Sequence, residues 1–183
     1  MKIIVAITGA SGVIYGLELA KKLKNHELFI IVTENAKKVM EHETNNYKEE
    51  LEKLKELGKF FESDDIEAPI ASGSFGVDAM VVCPCSMKTL AAIANGFSDN
   101  LVARCSDVMI KEKRRLILVP RETPLSPIHL ENMLKLSKIG ISIIPACPAF
   151  YNKPKTVNDM VNFVVGKILD ILKIDNNLYN RWN

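Results

Sequence analysis

Residues 71–100 read ASGSFGVDAMVVCPCSMKTLAAIANGFSDN, and the architecture turns on the order of residue types within them. An apolar run at 79–83 stops at Pro84. Ser86, Met87, Lys88 and Thr89 follow, and a small-residue helical pattern occupies 90–94. The order is that of a strand, a tight turn and the start of a helix. The run is short and does not alternate with polar residues, as in a strand covered on both faces of a parallel sheet. Such sheets bind ligands in the crevice beyond the carboxyl ends of their strands. The first helical turn offers free N–H groups, two hydroxyls and a lysine at the positive end of the helix dipole, a set that suits a phosphate. Ser86 read simply as an N-cap accounts for the same serine.

Upstream, residues 2–8 form a first strand. Gly9-Ala10-Ser11-Gly12 follows, then a helical pattern at 13–24. The glycines let backbone approach a ligand closely, but Gly9, Gly12 and Gly16 do not have the G-x-G-x-x-G spacing of a dinucleotide site. A second strand at 28–32 ends at Thr33, whose hydroxyl caps the next helix or binds a phosphate. Residues 48–57 are a charged surface helix and 62–67 an acidic loop. The Ser72-Gly73-Ser74 segment is too polar and glycine-rich for the core.

Downstream, 99–113 is helical, with Leu101, Val102, Cys105, Val108 and Met109 as its apolar stripe. Arg104 and Lys111, seven residues apart, point the same way. A buried strand at 115–119 runs into Pro120-Arg121-Glu122-Thr123-Pro124. A helix at 127–139 stops at Gly140, the last strand lies at 141–144, and the loop 145–154 carries Phe150 and Tyr151. The final helix, Val157–Leu172, presents a long apolar face. Lys167 sits at its edge near Met160, with its ammonium in reach of a polar pocket.

This alternation predicts one α/β domain over residues 1–174, a three-layer Rossmann-like (flavodoxin-like) fold with a mostly parallel sheet. The tail, 175–183, carries Tyr179, Arg181 and Trp182 and is expected to dock on the same or a neighbouring subunit, at a subunit interface. The strand ends bring together Ser11, Thr33, Ser86, Met87, Lys88, Thr89, Arg121 and Glu122, a set suited to one or two phosphates.

Size and charge agree with one domain. The chain has 183 residues, 48% of them apolar, and a formal charge of +2 with both signs interspersed, which disfavours nucleic acid as a partner. No apolar stretch spans a bilayer and KIIVAIT is strand-like, so a cytoplasmic protein without a membrane partner is expected. Cys83, Cys85, Cys105 and Cys147 read as buried free thiols. Neither they nor His26, His42 and His129 have metal-ligand spacing, so no metal is expected.

With these residues in view, the chain resembles the UbiX-type flavin prenyltransferases, within the homo-oligomeric flavin-containing cysteine-decarboxylase-like proteins. The resemblance runs nearly end to end: TGASGVIYG, the central stretch quoted above, DNLVAR, LVPRETPL, HLENML, PAFYNKP and LYNRW. It implies prenylation of reduced FMN at N5 and C6 by dimethylallyl phosphate, the product serving a separate UbiD-type decarboxylase. It also implies a homo-oligomer, commonly a dodecamer, with active sites where subunits meet.

The resemblance further places Gly9, Ala10 and Ser11 against the flavin, with Ser11 near N5. Thr33, Ser86, Met87, Lys88 and Thr89 would hold the FMN phosphate, and Arg121 would contact the flavin. Arg104, Lys111, Tyr151 and Lys167 match residues around the prenyl phosphate, and Glu43 and Glu122 match acids at the reaction centre. Trp182 offers an aromatic face to positive charge. Cations and a Tyr hydroxyl stabilise a departing phosphate, and Glu122 or that phosphate takes the proton lost at C6. The chain has no aspartate-rich motif for magnesium diphosphate beyond Asp64-Asp65, which suits a metal-free reaction with a monophosphate.

Rival readings follow from single motifs. Tyr151 and Lys155 mimic the Y-x-x-x-K pair of a short-chain dehydrogenase, but Pro154 between them is incompatible with the helix that pair requires. A decarboxylase of the phosphopantothenoylcysteine type lacks an evident active histidine here. A non-enzymatic FMN carrier or accessory subunit would leave Glu122, Lys111 and Tyr151 without purpose.

Overall fold

The computed structural model describes residues 1–181, so the expectation for Trp182 lies outside the described residues. Its strands are β1 (Lys2–Ile7), β2 (Glu27–Val32), β3 (Lys59–Glu62), β4 (Ala79–Cys85), β5 (Arg115–Pro120) and β6 (Ser142–Ile143). They form one sheet in the order β3-β2-β1-β4-β5-β6, with every pairing parallel. The helices are α1 (Val13–Lys22), α2 (Glu34–Glu43), α3 (Tyr47–Leu57), α4 (Met87–Ala94), α5 (Leu101–Lys111), α6 (Pro127–Lys138) and α7 (Val157–Leu172). The expected three-layer α/β domain is found, and the sheet is wholly parallel among the described residues.

Side chains from the two faces of each strand feed two separate cores, which explains why the strands do not alternate in polarity. Ile3, Val5 and Ile7 of β1 pack with residues of α1 and α7, whereas Ile4 and Ala6 pack with residues of α4 and α5. In β4 the register against β5 shifts between Val82 and Cys85, so Cys83 faces the first core and Cys85 the second. The predicted stripe on α5 is buried throughout. On α7 the stripe holds from Val161 onward, but Val157 is 70% exposed, because the first turn of this helix overhangs a cavity.

Two details depart from the sequence reading and one extends it. Residues 59–62 form an edge strand, so Glu62 ends a strand instead of opening the acidic loop. Ser72-Gly73-Ser74 stays out of the core, yet Ile70 and Ala71 just before it are buried. Cys147, expected to be buried, is exposed, since the chain after β6 runs over the surface; Cys83, Cys85 and Cys105 are buried free thiols. Among the described residues no helix is long and apolar enough to cross a membrane.

At the carboxyl ends of β1 and β4 the strand order reverses, and Thr8 ties the two ends together. Its buried Oγ1 donates to the Pro84 carbonyl at 2.8 Å and accepts from the Ser86 N–H at 2.8 Å, while its own N–H donates to the same carbonyl at 3.2 Å. The crevice expected at such a switch point opens here.

Candidate active site

Two cavities meet at this crevice and share Ser11 and Arg121. The smaller, of about 480 Å³, is lined by every residue that the resemblance assigned to the flavin: the turn 9–11, Thr33, the run 86–89 and Arg121. Glu122 lines it as well.

Local chemistry shapes this cavity. Ser86 is the N-cap of α4: its Oγ accepts from the Thr89 N–H at 3.3 Å and donates to Thr89 Oγ1 at 3.1 Å. Among the described residues the N–H groups of Met87 and Lys88 have no hydrogen-bond acceptor. Capping and ligand binding are thus compatible at Ser86. Thr33 repeats the arrangement at α2, where its Oγ1 accepts from the Ala36 N–H at 3.2 Å. The Lys88 ammonium lies 2.6 Å from Asp99, so part of its charge is met within the protein. Gly9 lies against α2 so closely that a Cβ would come within 2.5 Å of Asn35 Cβ, and only glycine allows this approach.

Arg121 carries the sharpest signal. Its Nε is buried and, among the described residues, has no hydrogen-bond partner. A buried donor left unpaired is costly, and pairing it with a ligand acceptor removes that cost. Unpaired backbone donors, clustered hydroxyls and this guanidinium around one cavity fit a flavin nucleotide.

The larger cavity, about 760 Å³, lies between α1, the α2–α3 link and the first turns of α7, with Ile14, Met160 and Val161 among its walls. Glu43 lines it and also completes α1. Gly12 precedes that helix at φ +95 and has no side chain to cap it. The Glu43 carboxylate does so instead, accepting from the Gly12 N–H at 3.0 and 2.9 Å and from the Val13 N–H at 3.0 Å. A carboxylate there is favoured by the helix dipole. It also places a negative charge beside Ser11.

Comparison with known proteins agrees with this geometry. Residues 1–169 match the Flavoprotein family. The flavin prenyltransferase UbiX of Methanocaldococcus jannaschii is 56% identical over 183 residues, covering 100% of this chain and 98% of that protein. The chain belongs to the flavoprotein family, among the UbiX flavin prenyltransferases. Two solved UbiX-like structures superpose closely. The complex of AnUbiX (PadA1) with FMN and dimethylallyl pyrophosphate gives a TM-score of 0.95 at 43% identity, covering 100% of this chain and 97% of that one. The dodecameric FMN-dependent UbiX-like decarboxylase of Escherichia coli O157:H7 gives 0.95 at 44% identity, covering 100% of each chain.

The remaining residues that the UbiX resemblance singled out are not gathered in this crevice. Neither cavity is lined by Arg104, Lys111, Tyr151 or Lys167. Arg104 pairs with Asp107 at 3.3 Å, and Lys111 lies 3.9 Å from Glu112. Because α5 runs antiparallel to the strands, Lys111 is roughly 15 Å along the helix from its crevice end. Tyr151 stands edge-on to Phe163 at 5.9 Å, and the Lys167 ammonium lies over the rings of Phe163 and Tyr179 at 5.6 and 4.9 Å. Met160 lines the larger cavity, whereas the Lys167 ammonium is directed at these two rings. α5 packs on one face of the sheet and α7 on the other, so the sheet separates the two pairs. Glu122 accepts from the Thr123 N–H at 2.9 Å and, among the described residues, forms no ion pair with Arg121.

Several residues at the site were missed from sequence. Thr8 locks the switch point, and Asn35, Ser63 and Asn100 line the polar cavity. Thr8 had a signal, a hydroxyl at the last residue of an apolar strand, but its partner lies 76 positions away. Among the described residues no group of three or more His, Cys, Asp or Glu is placed to hold a metal ion.

Proposed function

We propose that this protein transfers the dimethylallyl group of an allylic phosphate to N5 and C6 of reduced FMN, and that the product serves a UbiD-type decarboxylase. The observation that carries this reading is the junction of a hydroxyl-rich cavity with a larger, partly apolar one at Ser11 and Arg121. The flavin, when bound, supplies two ring atoms that accept the prenyl carbons. Thr33, Ser86, Thr89 and the first N–H groups of α4 would hold its phosphate, Gly9 and Ala10 would let it approach the backbone, and Arg121 would donate to it. Ser11 would stand near N5.

Glu43 and Glu122 would manage protons at the junction. Arg104, Lys111, Tyr151 and Lys167 would stabilise the departing phosphate. One subunit separates these groups across its sheet, which supports a homo-oligomer with shared sites, and the E. coli relative is a dodecamer. The tail would then lie near a subunit boundary.

The test is anaerobic incubation of the purified protein with reduced FMN and either dimethylallyl phosphate or the pyrophosphate present in the AnUbiX structure, without added metal. Mass spectrometry is expected to show one five-carbon unit gained, lost in Glu122→Gln and strongly slowed in Lys111→Ala. FMN that binds but returns unmodified with both donors refutes the reading in favour of a flavin carrier or a decarboxylase.

A further inference from the structure

The tail is held on α7 by one carboxylate. Asp170 accepts from the Tyr179 hydroxyl, from Asn176 Nδ2 at 2.9 Å, and from both terminal nitrogens of Arg181 at 3.1 and 2.7 Å. Burial pushes its pKa up, but the hydrogen bonds from Arg181, Tyr179 and Asn176 outweigh this and hold it below the ordinary aspartate value. Gly166 lets the tail lie flat, since a Cβ there would come within 2.6 Å of the Tyr179 ring.

The Tyr179 ring, so fixed, meets Phe163 edge-on at 5.0 Å and lies beneath the Lys167 ammonium. Phe163 in turn meets Tyr151. A single contact chain therefore joins Asp170 to two of the residues read above as holding the prenyl phosphate.

We infer that Asp170 is a positioning residue for prenyl-donor binding: it fixes Tyr179 on α7, and Tyr179 with Phe163 sets the places of Lys167 and Tyr151. This rests on the reading of Lys167 as a donor-phosphate ligand. Lys and Arg side chains lose much rotamer freedom when fixed, so a preformed ring platform lowers the entropy cost of binding the donor.

The experiment is steady-state prenylation by the full-length protein, with FMN affinity and oligomer size measured for each variant. Asp170→Asn is expected to raise KM for the dimethylallyl donor roughly tenfold, as for the loss of one well-placed charged contact, with kcat and FMN affinity within about twofold. Gly166→Ala, which displaces the tail without changing charge, gives the same KM defect. Lys167→Ala gives it too, and adding Asp170→Asn to Lys167→Ala costs little more. If Asp170→Asn fails to assemble, Tyr179→Phe replaces it, removing only the hydroxyl that Asp170 accepts from.

Donor KM unchanged in Asp170→Asn (or its replacement) and Gly166→Ala, but raised in Lys167→Ala, overturns the positioning role and leaves the reading of Lys167 intact. An unchanged KM in Lys167→Ala overturns both. Equal losses in kcat and FMN affinity in the Asp170 variant mark a merely structural role and also overturn the inference.

Discussion

Replacing Arg121 should move ligand affinity and the stability of the ligand-free protein independently, because its buried Nε has no partner among the described residues. In Arg121→Leu the stem packing is partly kept and an unsatisfied donor is removed, a relief of about 1–3 kcal/mol against the loss of some buried surface. The two changes nearly offset, so the Tm of the FMN-free protein should stay within about 4 °C of the parent. With FMN present the variant loses a charge-assisted hydrogen bond of about 1.5–3 kcal/mol, which weakens the Kd roughly tenfold to 150-fold. Arg121→Lys keeps the charge but not the planar fork, and should recover little of that affinity. Titration of FMN by flavin fluorescence, alongside thermal unfolding with and without FMN, reads both quantities. A Kd within twofold of the parent, or a fall of many degrees in the FMN-free Tm, would refute the reasoning, since either places the guanidinium in the scaffold instead of the site.

The scaffold and the thiols make further predictions. A Cβ at Gly16 would come within 2.2 Å of the Cys83 carbonyl oxygen and 2.9 Å of Ile7 Cγ1, so α1 lies directly against the backbone of β4. Gly16→Ala gains about 1 kcal/mol of helix propensity but forces a rigid carbonyl aside at about 1–3 kcal/mol or more. Thermal unfolding should show a net drop of several degrees, and a rise in Tm would show that the helix can shift freely. Among the thiols, the exposed Cys147 should react first with an aromatic disulfide reagent at neutral pH. Burial pushes Cys85 and Cys105 up to about 12 and raises Cys83 further, so these three stay protonated and covered until the protein unfolds. More than one fast-reacting thiol in the native protein would contradict that burial.

What could be read from the sequence tracks how local the determining contacts are. Most of the wall of the polar cavity comes from contiguous pieces, each a strand end followed by a turn and the first residues of a helix: 7–13, 32–36 and 85–89. Apolar runs without alternation announce β1 and β4, and hydroxyls at Thr33 and Ser86 mark helix starts whatever else they bind. β3 escaped because only Phe61 of its four residues is buried; a short edge strand has no periodicity to display. Thr8 and Glu43 escaped as structural residues because their partners are remote. The clamp of Thr8 on Pro84 spans 76 positions, and the cap that Glu43 provides to Gly12 spans 31.

The cations are harder to read for a geometric reason. Spacing places Arg104 and Lys111 on one side of α5, but it cannot say which site that side faces. Within one subunit α5 and α7 are kept apart by a sheet covered on both faces, and Lys111 lies at the far end of its helix from the crevice. No side chain is long enough to cross both the sheet and the core that flanks it on each face. If Lys111 and Lys167 serve one phosphate, a second copy of the chain must bring them together. Mixing the slowed Lys111→Ala with the inactive Glu122→Gln tests whether Lys111 reaches the crevice from a second subunit: dissociated and reassembled together, they should regain activity at those sites that draw each intact residue from a different subunit. Activity that never exceeds that of the separate variants, in oligomers shown to be mixed, would mean that each subunit carries its own complete set.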